Sequence, residues 1–295
     1  MSIHRYFLHN GKVRQTSEAS LFPGQLGLLA GWGIFTTLRV VDGAIFAWER
    51  HWARLQRDAQ LLNVELPGDP AHVELDLARL IEANHAPNCT MRYVVVRNGG
   101  GMWEGPAAAS GSGLASDTIA LTADSKLWGA SVRLGIQPHA RYAASDFTRA
   151  KIISWAHNLR WLEMAQRDGF DEVILLNEFD RVAECTSANV FAVFGSSVTT
   201  PPLGEGCLPG ITREVLLDGV DLDGIHFSER PLAIDDLYQA DEVFVTSTTR
   251  GLLPVAEIAG RPLQRRGDKI NRMISAFDDF VKSDIARRKR APVSA

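Results

Sequence analysis

With 295 residues, 45% of them hydrophobic and 22% charged, the chain has apolar material for a substantial core in one large domain or two moderate ones. Its formal net charge of −4 provides none of the overall positive field that nucleic-acid binding leans on, so neither DNA nor RNA is an expected partner. No stretch approaches about 18 uninterrupted apolar residues and residues 1–10 lack the apolar run of a signal peptide, so no membrane partner is expected and the predicted location is cytoplasmic.

In chain order, Asn10-Gly11 between Tyr6-Phe7-Leu8 and Val13 predicts an opening hairpin, because Asn-Gly accepts the positive φ of a type I′ turn. Gly24, Gly27, Gly31 and Gly33 lead into a strand over 34–40, and Asp42-Gly43 turns it into a second strand over 45–48. The glycines are irregularly spaced and no Gly-Lys-Ser/Thr follows, which argues against a nucleotide-binding loop. From Glu49, Trp52, Leu55, Ala59 and Leu62 recur at helical intervals, with His51 and Arg54 sharing another face. A second helix is expected over 73–83 and a strand over 91–96. The glycine-rich stretch 97–106 and the low-complexity stretch 107–116 read either as a substrate lid or as an idle surface insertion. A strand over 119–122 and a crossing segment over 123–130 divide the chain into a smaller domain over 1–122 and a larger one over 131–295. The larger part is expected to hold a strand over 132–136, a helix from Lys151 to about Arg167 stopped at Asp168-Gly169, and strands over 172–176 and 190–194. After these come a helix over 211–217, a strand over 242–245 and a last helix over 268–288 ending in a frayed basic tail.

Three segments carry chemistry. Among six lysines, Lys12, Lys126, Lys269, Lys282 and Lys289 fall on turns, connections or the terminal helix and tail, whereas Lys151 precedes Ile152, Ile153 and Trp155. An apolar neighbourhood disfavours its charged form and makes it a usable nucleophile and base. Glu184 closes a β-rich hairpin and is followed by the small residues Thr186, Ser187 and Ala188, leaving room for a flat ring; a surface turn glutamate is the competing reading. Leu208-Pro209-Gly210-Ile211-Thr212-Arg213 offers an anion the N–H groups of a helix start, or is an ordinary glycine-led helix start. Lysine, carboxylate and anion site are the groups that pyridoxal phosphate requires. On its pattern alone Arg54 reads as a solvated helix charge. Cys89, Cys185 and Cys207 show no CxxC spacing and cannot all pair, so neither a disulfide framework nor a metal site is expected; Cys185 and Cys207 read as small buried fillers rather than reactive thiols.

Taken in this order, the segments 31–40, 51–55, 169–172, 184–191, 208–213 and 246–255, together with Lys151, resemble the class IV aminotransferases. These are the fold-type IV pyridoxal-phosphate enzymes that include branched-chain and D-amino-acid aminotransferases and aminodeoxychorismate lyase. The resemblance implies an α/β (α+β) fold of two domains with the cofactor, pyridoxal 5'-phosphate, at the domain interface, and a homodimer as the working unit. It makes Lys151 the Schiff-base lysine and proton shuttle, Glu184 the pyridinium partner, and Arg54 a phosphate ligand, reversing the reading of Arg54 as solvated. Ile211, Thr212 and Thr248 become further phosphate ligands and Asn189 joins the cofactor-binding set. Thr36, Arg92, Arg97 and Thr249 are the candidate substrate residues, although Arg92 and Arg97 have opposite parity along their strand.

The activity so implied is transfer of an amino group between a small amino acid or amine and a 2-oxo acid. Phe35-Thr36-Thr37 with Arg39-Val40, and Glu184-Cys185, also resemble the lyase branch, which eliminates pyruvate to give 4-aminobenzoate. The stretch 97–105 lacks the second basic residue that branch carries near Met102, so transamination is the expected reaction. A non-catalytic metabolite-binding module on the same fold would not need Lys151 and Glu184 together.

Overall fold

The computed structural model describes residues 2–20, 23–100, 113–264 and 266–290, which form two compact units. One comprises Met1–Lys126, Lys151–Trp155 and Ser283–Ala295, the other Leu127–Ala150 and Ala156–Lys282, each within the described residues. Lys151 thus opens a short segment of the first unit. Residues 101–112, the middle of the expected lid or insertion, lie outside the described residues.

The first unit begins with β1 (Ile3–His9) and β2 (Lys12–Gln15), joined where Asn10 and Gly11 take φ of 49° and 71°. These are the positive values that a type I′ turn needs. Then come α1 (Leu26–Ala30), β3 (Gly33–Val41), β4 (Ala44–Ile45), α2 (Trp48–Leu62), α3 (Pro70–Ala83), β5 (Cys89–Arg97) and β6 (Ser116–Asp124). The strands form one antiparallel sheet in the order β2-β1-β6-β5-β3-β4. Alternate residues of β3, namely Ile34, Leu38 and Val40, share a core with Trp48, Trp52, Leu55, Ala59 and Leu62 of α2 and with Val73, Leu77 and Leu80 of α3. The strand expected over 45–48 stops at Ile45, because Trp48 already belongs to the apolar stripe of α2. Ser116, expected in the low-complexity stretch, instead opens β6 opposite Arg97.

A further departure concerns residues 151–155. The helix expected from Lys151 starts only at Ala156, and Lys151 to Ile153 run extended along the edge of β3. Phe35 N donates to Lys151 O at 2.9 Å and Ile153 N donates to Gly33 O at 3.0 Å. Two causes combine. Ile152 and Ile153 are β-branched and favour extended backbone. β4 pairs with β3 only at Val40 and Val41, so the start of β3 keeps an edge that needs partners. Glycine permits the close approach, since a Cβ on Gly33 would sit 3.0 Å from Ile153 Cδ1 and 2.6 Å from Val95 O of β5.

The second unit contains β7 (Val132–Gln137), α4 (Ala156–Arg167), β8 (Glu172–Leu176), β9 (Val182–Cys185), β10 (Asn189–Phe194) and β11 (Ser197–Thr200). It continues with α5 (Ile211–Asp218), β12 (His226–Glu229), α6 (Ile234–Gln239), β13 (Glu242–Ser247), β14 (Gly251–Ile258), β15 (Arg261–Pro262) and α7 (Lys269–Arg290). Its mixed sheet runs β12-β11-β10-β13-β14-β7-β8-β9, with β15 beside β14 and parallel pairs at β11–β12, β14–β7 and β7–β8. β8 and β9 are buried at every position, so they read as unbroken runs rather than alternating ones. From Ser283 the residues of α7 cluster with the first unit. There the expectation of a frayed basic tail fails at Arg288, a buried guanidinium that pairs with Glu74 at 3.1 Å, with Asp284 at 3.0 Å and with Glu49. Among the described residues no helix is long and apolar enough to cross a membrane.

Candidate active site

In the first unit the chemistry gathers on one face of α2. His51, Arg54 and Asp58 recur at helical spacing and are 0%, 6% and 1% exposed. Burial overturns the reading of Arg54 as a solvated charge: its Nη2 donates to Thr36 Oγ1 at 2.9 Å, and the same hydroxyl lies 2.7 Å from His51 Nδ1. Burial, reinforced by the charges of Arg54 and Lys151, holds the His51 imidazole well below its ordinary range, so it is neutral. One turn further, Asp58 Oδ2 accepts the backbone N–H of Lys151 at 2.9 Å, while its Oδ1 accepts from Arg57 Nη2 at 2.6 Å. A single helix therefore carries the candidate anion ligand and fixes the backbone of the candidate nucleophile.

The Lys151 amine extends over the Phe35 ring, 4.7 Å from its centroid, and the Arg92 guanidinium lies 4.5 Å from the same centroid. Of the two candidate substrate arginines, Arg92 is thus brought to the ring that Lys151 also covers. Arg97, at the other parity, turns its guanidinium toward Gly100. Thr36 is fully buried with its hydroxyl engaged by Arg54 and His51, so the candidate substrate threonine belongs to the α2 side of the strand.

In the second unit Glu184 is 5% exposed, which removes the surface-turn reading. Its Oε1 accepts from Arg141 Nη2 at 2.7 Å and its Oε2 from Leu208 N at 3.0 Å. A cation and an N–H donor both favour the ionised carboxylate. Arg141, a residue assigned no role from the sequence, stands 43 positions before its partner, and no local pattern announces the pair. Asn189 donates from Nδ2 to Leu208 O at 2.8 Å, stitching β10 to the turn that precedes α5. A Cβ on Gly210 would meet Asn189 Oδ1 at 2.1 Å, so this turn requires glycine. α5 starts without a side-chain cap, and Thr212 Oγ1 is buried there with no partner among the described residues. An uncapped helix start beside an orphaned hydroxyl has donors to offer an anion.

Thr248 and Thr249 occupy the turn between β13 and β14, where Thr249 O accepts from Trp128 Nε1 at 3.2 Å. This turn is tied to the loop after Glu184 by a second pair that sequence inspection missed. Arg250 Nη2 donates to the buried Glu172 carboxylate at 3.0 Å, with its guanidinium 4.2 Å over the Trp128 ring. Glu172 also accepts from Ser187 Oγ at 2.6 Å and from the Thr186 hydroxyl. Cys185 and Cys207 are buried; desolvation raises both thiols, Cys207 to about 12, so they are poor nucleophiles at neutral pH.

The family model "Amino-transferase class IV" matches residues 33–258. Among curated relatives, the chain is 29% identical over 275 residues to a putative branched-chain-amino-acid aminotransferase of Methanocaldococcus jannaschii, covering 92% of this chain and 94% of that one. It is 27% identical to the D-alanine aminotransferase of Bacillus licheniformis, covering 87% and 89%. Among solved structures, the branched-chain aminotransferase of Thermoproteus uzoniensis with norvaline superposes with a TM-score of 0.84 at 24% identity, over 95% of this chain and 96% of that one. A pyridoxal-phosphate-bound hypothetical aminotransferase of Mycobacterium tuberculosis gives 0.82 at 22% identity, over 95% and 99%. A match from the first residue of β3 to the last of β14 takes in Arg54, Lys151, Glu184 and Thr212 in order, and on it the chain belongs to the class IV aminotransferases.

Proposed function

We propose that this aminotransferase holds pyridoxal 5'-phosphate on Lys151 and moves an amino group between a small amino acid and a 2-oxo acid. The observation that carries the reading is the fixing of Lys151: its backbone is clamped by Asp58 and by the edge of β3 while its amine reaches over Phe35. The residues present fit the cofactor. Glu184 is a buried carboxylate paired with Arg141, the residue type that a protonated ring nitrogen needs as partner. The orphaned Thr212 hydroxyl at an uncapped helix start suits a phosphate.

When bound, pyridoxal phosphate supplies an electron sink for negative charge at the substrate α-carbon. Lys151 Nζ would hold the cofactor and serve as the base for the proton on that carbon. Glu184 would partner the ring nitrogen. Arg54, Ile211, Thr212 and Thr248 are assigned to the phosphate, with Asn189 acting through the turn it stitches. Arg92 is the preferred ligand for the substrate carboxylate, and Thr249 is a further candidate substrate residue. The working unit is a homodimer, which sedimentation of the purified protein checks.

Transfer from a panel of L-branched-chain amino acids and D-alanine to 2-oxoglutarate tests the reading. The expected result is turnover with one of these donors, abolished by Lys151→Ala and lowered by orders of magnitude by Glu184→Gln with the fold intact. Release of pyruvate from aminodeoxychorismate, without transfer from any donor, would replace transamination with elimination.

A further inference from the structure

His51 is buried without exposure, yet only one of its ring nitrogens is used: Nε2 has no partner among the described residues. An unpaired buried polar atom is destabilising, and an apolar side chain of similar size would serve the core better. The histidine is explained by its other nitrogen. Nδ1 lies 2.7 Å from Thr36 Oγ1, and that oxygen accepts the Arg54 Nη2–H at 2.9 Å. A hydroxyl that accepts from a guanidinium has one proton left to give. The neutral imidazole takes it at Nδ1 and carries its own proton on Nε2. The hydroxyl rotor of Thr36 is then fixed, its lone pair aimed at Arg54.

We infer that His51 and Thr36 are positioning residues that orient the Arg54 guanidinium as a ligand for the cofactor phosphate, His51 acting through the Thr36 hydroxyl. The inference rests on the assignment of Arg54 to the phosphate. A buried arginine side chain has many rotamers, and a fixed acceptor on Nη2 narrows them before the anion arrives. Thr36 is therefore a residue of the phosphate site rather than of the substrate site.

The test compares binding of pyridoxal phosphate and of pyridoxal, which lacks the phosphate, to the full-length apoenzyme by absorbance titration. His51→Leu and Thr36→Val are expected to weaken pyridoxal phosphate about tenfold, as for loss of one hydrogen bond to a charged group, and to leave pyridoxal nearly unchanged. His51→Asn, which keeps an acceptor where Nδ1 sits, restores most of the loss. Arg54→Gln probes the underlying assignment and should remove most of the preference for the phosphorylated form. If Arg54→Gln removes it while Thr36→Val and His51→Leu leave it intact, the positioning role is wrong. If Arg54→Gln leaves it intact, the assignment of Arg54 falls, and the inference with it. Thermal melts identify any variant that fails to fold, and the isosteric Thr36→Val decides the question should His51→Leu be one.

Discussion

At the scale of single residues, Arg54 and Arg141 teach the same lesson from opposite sides. The helical pattern of α2 shows Arg54 off the apolar stripe but not that β3 supplies Thr36 to receive it. Only the resemblance placed it in a site, and burial removes just the solvated reading. Arg141 stands in a loop without periodicity, and its purpose becomes visible only when the chain brings it to Glu184. Replacing Arg141 by Gln takes away the cation that pairs with that buried carboxylate. The expected cost is about 3 kcal/mol of stability, with a fall in turnover as the carboxylate loses its cation. Urea denaturation and steady-state rates check both. Unchanged values in both would make the pair incidental.

At the scale of elements, most strands were legible because burial on both faces writes itself as apolar runs, as in Val173 to Leu176 and Val190 to Val193. The segment 151–155 was not. Its extended form depends on the unpaired edge of β3, whose residues lie more than a hundred positions earlier, and no window around Lys151 contains that information. The clamp predicts that Asp58→Ala, which strips the acceptor from Lys151 N–H, costs about 1–3 kcal/mol and speeds amide exchange at Lys151. Unaltered exchange there would mean that β3 alone holds the segment. The Glu172–Arg250 pair predicts a larger loss. Arg250→Met leaves the Glu172 carboxylate buried without its cation, and denaturation should report about 3–5 kcal/mol.

At the scale of the whole molecule, the ordered motifs identified the family from sequence, and the match over residues 33–258 agrees with them. The same burial that shapes the site shapes the response of the molecule to acid. The fold holds His51 neutral, so below its ordinary pKa of about 6.5 the unfolded chain binds a proton there that the native one does not. Stability from this group is therefore complete above that range and lost as the pH falls below it. Melting temperatures of the wild type should drop more steeply between about pH 7 and pH 5 than those of His51→Asn, which has nothing to titrate at this position. Parallel curves would mean that His51 protonates in the fold without penalty. The central claim, that Lys151 holds the cofactor and works it as a transaminase, is tested most directly by the absorbance of the protein reconstituted with pyridoxal phosphate. The expected result is a long-wavelength band from the lysine-bound cofactor, which one amino donor converts to the pyridoxamine spectrum and which Lys151→Ala never develops. A band that forms unaltered in Lys151→Ala, or no band in the wild type, would contradict it.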